Sequence, residues 1–185
     1  MEAKLSMDMI DKIVWTRKLD TIGRELISKY LVDCKVIADI GHGGYPIRMG
    51  AIGYDRNRNI PNSKYFNMDK DVVWLKDDLI KENISGVCMS HSLEHFINTK
   101  VVLKALFIGI KNKGRIAVVV PDGETVPSNT LGDSGLTHEV LFTPITLRLH
   151  LEHAGFKNVK SQYYERPYAY KQTKGIFACG EKDES

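Results

Sequence analysis

Short apolar, β-branched runs recur along this chain, and each stops at a glycine, an acid or another polar residue. Lys35–Ile40 (KVIADI) ends at Gly41, Ala51–Asp55 (AIGYD) ends in its own acid, Lys64–Met68 is a weaker third, and Gly86–Ser90 (GVCMS) is a fourth. Arg115–Pro121 (RIAVVVP) is the clearest, with Pro121 stopping it. Such runs are too short for helices and read as buried strands. Between and around them the spacing turns helical. Apolar positions from Met9 to Tyr30 follow it, with a break near Lys18 to Gly23, and so does Leu93–Lys111 before a stop at Gly114. Thr143–Ala154 carries a full helix signature: Thr143 as N-cap, Pro144 at the first position and Gly155 as the stop. Asn158–Tyr164 and Gly175–Gly180 read as two closing strands joined by a polar, tyrosine-rich loop. Strands alternating with helices predict a doubly wound α/β sheet with mostly parallel pairing.

The chain of 185 residues lies within the range of one domain, predicted as an N-terminal helical segment (1–33) and an α/β core (34–185). A net charge of +3 is too small to argue for nucleic acid as a partner. The nearest basic cluster, Arg56 with Arg58, reads as a solvated loop end first and an anion contact second. Three cysteines, Cys34, Cys88 and Cys179, without CxxC spacing, argue against a disulfide framework or a zinc site and suit a reducing cytosol. Cys88 and Cys179 sit in apolar runs and are expected to be buried, inert thiols. The first residues lack an apolar signal core, and no apolar stretch reaches bilayer length, so a cytoplasmic protein with no membrane partner is expected.

In doubly wound sheets ligands sit beyond the carboxyl ends of the strands, where strand order reverses. The first strand leads into Asp39-Ile40-Gly41-His42-Gly43-Gly44, an acid followed by glycines that let the backbone approach a ligand; the plainer reading is a turn. The second ends in Asp55, placed to hold the two ribose hydroxyls of a nucleoside or to cap a turn. After the third, Asp69, with Asn67 nearby, could take an adenine amino group, although Asp71, Asp77 and Asp78 crowd the same stretch. After the fourth comes Ser90-His91-Ser92-Leu93-Glu94-His95-Phe96. His91 and His95 stand four apart with Glu94 between them, but no third ligand follows in sequence, so no metal is assigned. Only Tyr45 to Gly50 separates the glycine loop from the second strand, so the usual first crossover helix is truncated. That shortage also ranks a nicotinamide-dependent oxidoreductase low, because G-x-G-x-x-G should open a full helix.

Together these residues resemble the class I S-adenosylmethionine-dependent methyltransferases. The Asp39–Gly44 run is similar to that superfamily's first motif, and Gly53-Tyr54-Asp55 to its second-strand acid. Ser90–Phe96 is similar to its S-x-x-LEH segment, Gly114–Asp122 to its fifth strand, and His138–Val159 to its F-T-P-x-T-L … A-G-F closing segment. The likeness covers about Val36 to Val159 in order. It implies a Rossmann-like fold with an antiparallel C-terminal strand, and S-adenosyl-L-methionine as cofactor. The methionine end falls to Asp39, Gly41 and Gly43, with His42 in the same loop, the ribose to Asp55, the adenine to Asp69 and the methyl-transfer end to Ser90. His91, His95 and His138 are the acceptor-side acid/base candidates, each with a capping or surface histidine as the plainer reading. Asp122–Gly135 is a lid candidate, and Tyr163, Tyr164, Tyr168 and Tyr170 are candidate walls of an acceptor pocket. Within the superfamily, "SH-x-LEHF" and "VPD" are most similar to small methyltransferases associated with surface-polysaccharide loci, which implies a small-molecule or glycan-type acceptor. The first motif departs from the pattern: the third glycine is missing and His42 replaces a small residue. A non-catalytic binding or scaffold module of the same fold is therefore the alternative. The N-terminal segment is expected either to cover the pocket or to pair with a neighbour as a homodimer.

Overall fold

The computed structural model describes residues 20–67, 70–125, 138–166 and 173–183. They form α1 (Thr21–Tyr30), β1 (Ile37–Ile40), β2 (Ile52–Asp55), β3 (Ser63–Tyr65), α2 (Val72–Lys81) and β4 (Gly86–Ser90). A 3-10 turn (Leu93–His95), α3 (Thr99–Gly109), β5 (Arg115–Pro121), α4 (Pro144–Ala154), β6 (Lys157–Arg166) and β7 (Thr173–Glu181) follow. The seven strands make one sheet in the order β3-β2-β1-β4-β5-β7-β6. All neighbours from β3 to β5 pair parallel, and β7 runs antiparallel to both β5 and β6. The expected mostly parallel sheet with an antiparallel closing strand is therefore present. Strand order reverses between β1 and β4, so the tips of these two strands mark the switch point.

The period-2 alternation of the strands divides the core in two. Ile116, Val118 and Val120 of β5 join Ala38, Ile40, Leu75, Leu79, Leu103, Leu106, Leu147 and Leu151 on the face covered by α2, α3 and α4. Ala117 and Val119 join Ile27, Leu31, Ile37, Tyr164 and Phe177 on the opposite face, against α1. All three cysteines are free and buried, Cys88 completely. No helix among the described residues is long and apolar enough to cross a membrane.

Local signals fix the helix ends. Thr143 accepts from the Thr146 amide while the Thr146 hydroxyl accepts from the Thr143 amide, a reciprocal capping box ahead of Pro144. Gly155 closes α4 at φ 117°. The truncated first crossover is present as a loop from Gly41 to Ala51, and α1 holds it. Arg24 of α1 donates to the carbonyls of Tyr45 (3.0 Å) and Pro46 (2.8 Å), and Ile47 and Ala51 of the loop pack on the α1 side of the core.

Two expectations are corrected. The third strand is Ser63–Tyr65, not Lys64–Met68: the Phe66 amide makes a last bond to the Asp55 carbonyl (2.9 Å), and its ring is buried in the core against Phe96, ring centroids 6.2 Å apart. Leu93–Lys111 is not one helix. The 3-10 turn ends at Phe96, whose backbone is extended, and α3 starts afresh at Thr99, whose hydroxyl donates to the Phe96 carbonyl. Helix α2 (VVWLKDDLIK) occupies a stretch to which the sequence reading assigned no element, although Val72, Leu75 and Leu79 stand at helical spacing in it. The N-terminal helical pattern is described only from Asp20 onward; its earlier part, Asp69, Tyr168, Tyr170 and most of the lid candidate lie outside the described residues.

Candidate functional site

The loops after β1 and β2 are bonded into one unit. The Gly41 amide donates to the Tyr54 carbonyl (2.7 Å), and the Gly43 amide donates to Asp55 Oδ2 (2.8 Å). Asp55 Oδ1 accepts from the Asn57 amide (2.9 Å), so both of its oxygens are engaged, each with acceptor capacity to spare. Asp39 is 2% exposed and accepts from the Ile47 amide at 2.6 Å. Burial pushes its carboxyl up, with the Ile47 amide opposing. The backbone can turn this tightly because Gly41, Gly43, Gly44 and Gly50 all adopt positive φ. Beside Gly41 there is no room for a side chain, since a Cβ would lie 2.5 Å from Ser92 Cβ. At Gly44 a Cβ would meet nothing within 4 Å, so the loop backbone is open on that side.

His42 is bonded through both ring nitrogens. Its Nδ1 accepts from the Gly44 amide (3.2 Å), which leaves the proton on Nε2 to donate to Ser63 Oγ (3.0 Å). The ring fills the space over Gly53, where a Cβ would overlap Nε2. The β4 tip joins the same region: the Ser92 hydroxyl donates to the Ile40 carbonyl (2.7 Å), and Ser90 ends β4 half-buried opposite Val119.

Beyond the β4 tip lies a buried polar cluster. His91 stands in the left-handed region, φ 52°, a strained conformation for a non-glycine residue. That backbone turns its ring between two acids. Nε2 contacts Asp20 Oδ2 at 2.5 Å, and Nδ1 lies 3.6 Å from Glu94 Oε1. The Tyr164 hydroxyl donates to the same Asp20 oxygen at 2.8 Å. Burial pushes the Asp20 carboxyl up, but His91, Arg166 and Tyr164 outweigh it and hold Asp20 at about 2. Burial and Arg166 push the His91 imidazole down, and the bonds to Asp20 and Glu94 outweigh them, raising it. Burial likewise opposes ionisation of Glu94, 1% exposed, while His91 and His95 more than offset it. His91 thus spends both ring nitrogens on protein carboxylates.

The Glu94 carbonyl accepts from the amides of Glu139 (2.9 Å) and Val140 (3.1 Å), which lays the 138–140 segment against the 3-10 turn. His138 consequently lies against His95, ring centroids 5.2 Å apart and planes inclined at 41°. Asp39, Gly41, His42, Gly43 and Asp55 are thus gathered in one loop system, with Ser90 on the adjoining strand tip. His91, His95 and His138 form a second group one turn further on. Sequence reading missed Asp20, which reaches His91 from 71 positions away along the chain and carries no local motif, and it took Tyr164 as an acceptor-pocket wall, whereas the Tyr164 hydroxyl is bonded to Asp20. Tyr163 is 40% exposed, and Arg58 stacks over Tyr65 at 4.1 Å rather than reaching the loops.

Comparison with solved structures defines the class of fold. A SAM-dependent methyltransferase from Thermotoga maritima superposes with a TM-score of 0.70 at 13% identity, covering 95% of both chains. The 1,6-didemethyltoxoflavin-N1-methyltransferase of Burkholderia thailandensis, solved with S-adenosylhomocysteine, gives 0.63 at 16% identity over 100% of this chain and 94% of that one. A SAM-dependent methyltransferase from Archaeoglobus fulgidus gives 0.60 at 18% identity, over 92% and 99%. The chain has the Rossmann-like fold of these methyltransferases. No protein-family model matches the sequence, and no curated protein does.

Proposed function

We propose that this protein is an S-adenosyl-L-methionine-dependent methyltransferase of the cytoplasm acting on a small-molecule or glycan-type acceptor. The observation that carries this reading is the Gly43–Asp55 hydrogen bond, which binds the glycine loop of β1, a strand bordering the switch point, to the acid of the neighbouring β2. The residues present suit the cofactor. Asp39, Gly41 and Gly43 would hold its methionine end and Asp55, with spare acceptor capacity, its ribose, while the unobstructed flank at Gly44 gives the ligand access to backbone. Its bound methyl-sulfonium supplies a reactive group whose leaving atom needs no acid. The chain's task is then to orient the acceptor and exclude water. Ser90 borders the methyl-transfer end, and His95 and His138 are the acceptor-side groups left for proton handling once His91 is committed to Asp20 and Glu94.

Calorimetric titration with S-adenosylhomocysteine tests the reading. Wild type should bind one equivalent, and Asp55→Ala should bind about 10- to 100-fold more weakly, the worth of a lost charged acceptor. A wild type that does not bind overturns the proposal. Binding with no transfer of radiolabelled methyl to hydroxyl-, amine- and glycan-bearing acceptors replaces it with the binding-module reading.

A further inference from the structure

We infer that Glu94, His95 and His138 form a binding site for a divalent first-row transition metal. One ligand atom from each lies within 4.8 Å of the other two. His95 Nε2 is 3.9 Å from Glu94 Oε1. Metal bonds of about 2.0–2.2 Å place tetrahedral ligand atoms about 3.4 Å apart, so closure on an ion takes side-chain adjustments of roughly 1 Å. The independent observation is Glu94 Oε2, a buried carboxylate oxygen that no hydrogen-bond donor among the described residues reaches. An ionised oxygen stranded in this way is costly, on the order of 1–3 kcal/mol or more, and a cation removes that cost.

The donor set decides the class of ion. Two imidazole nitrogens with one carboxylate oxygen suit zinc, cobalt or iron(II) rather than calcium or magnesium, which prefer all-oxygen shells. Three protein ligands leave positions open for water or an oxygen-bearing ligand. The surroundings also resemble a metal site's outer shell. Asp20 fixes the His91 ring at 2.5 Å, and His91 in turn lies beside Glu94, so the carboxylate is oriented from behind. Two amide bonds onto the Glu94 carbonyl fix the chain just after His138. The metal-free expectation drawn from the sequence paired His91 with His95 and found no third ligand. In the fold His91 is diverted to Asp20, and the third ligand comes from beyond β5.

A bound ion would take His95 and His138 out of the proton-handling role given them under the methyltransferase reading, and the test of the site needs no cofactor. Full-length protein stripped with a chelator is titrated with cobalt(II) and followed by visible absorption, then with zinc by calorimetry. One equivalent should bind with a cobalt d–d band. His138→Ala and His95→Ala, confirmed as folded by circular dichroism, should each weaken binding by at least ~100-fold, more than the 10- to 100-fold typical of outer-shell changes. Glu94→Gln should do the same, and His138→Ala, in a loop, keeps the test decisive if the buried substitution unfolds the chain. Absence of the band and of heat in wild type, or wild-type affinity in His95→Ala and His138→Ala, overturns the site. S-adenosylhomocysteine binding measured on the same stripped protein fails or succeeds independently.

Discussion

At the scale of single residues, the glycines of the first loop are not equivalent. Gly41 and Gly44 both adopt positive φ, 74° and 90°, but only Gly41 faces a wall, the Ser92 side chain. Gly41→Ala therefore meets both backbone strain and a collision and should cost roughly 1–3 kcal/mol. Gly44→Ala meets strain alone, about 1 kcal/mol. Urea unfolding of the two variants checks this; equal losses would mean that the Ser92 contact does not constrain the loop. The same residues show what the sequence could disclose about the site. Asp39, Gly41, Gly43 and Asp55 were legible because each sits within a residue or three of a strand end, and a strand end is a local signal. Their joining through the Gly43–Asp55 bond was not, since register between β1 and β2 settles it. Nor was the turning of His42 onto Ser63, which needs β3 alongside.

At the scale of elements, α4 was legible to the residue because its cap, first proline and terminal glycine are all local. Its end gives a prediction. Gly155 sits at φ 117°, and a Cβ there would lie 2.8 Å from the Phe107 ring of α3, which itself packs edge-on against Phe156 at 5.2 Å. Gly155→Ala should destabilise by roughly 1–3 kcal/mol, lowering Tm by several degrees at ~2–4 °C per kcal/mol. A melt that matches wild type would show that α3 and α4 yield freely at this contact. Helix α2 was passed over because Asp71, Asp77 and Asp78 crowd its stretch, although its apolar residues stand at helical spacing. Its Asp78 reads as a surface acid, yet it is buried because the Tyr54 hydroxyl of β2 donates to it at 2.8 Å and Lys64 of β3 at 2.5 Å. Leu75 and Leu79 on the same face are fully buried, so the apolar stripe of VVWLKDDLIK packs on the core with Asp78 accommodated beside it. The break at Phe96 inside the apparent Leu93–Lys111 helix is likewise tertiary, since Phe96 leaves the helical path to pack on Phe66.

At the scale of the molecule, Asp20 ties together parts that the sheet alone leaves separate. It caps α1 through the Gly23 amide, holds the β4 tip through His91, and receives the Tyr164 hydroxyl from β6. The helix that covers one face of the sheet is thereby fastened to a central and to an outer strand, and the same helix holds the glycine loop through Arg24. This fastening has a pH signature. Burial opposes the Asp20 carboxylate, but His91, Arg166 and Tyr164 hold it at about 2, against 3.8 for an ordinary aspartate. A group whose pKa is lower in the folded state contributes stability above its unfolded pKa and loses it as pH falls through the folded one. The contribution should therefore be complete above about pH 4 and disappear between about 4 and 2, and the shift corresponds to on the order of 2 kcal/mol. Asp20→Asn isolates it, because asparagine caps a helix as well as aspartate and still accepts from Tyr164. Wild type and variant should differ by that amount in urea unfolding at pH 5 and converge as pH falls below 4. A gap that stays constant from pH 5 downward would show that the ionised carboxylate is not what fastens α1 to the sheet.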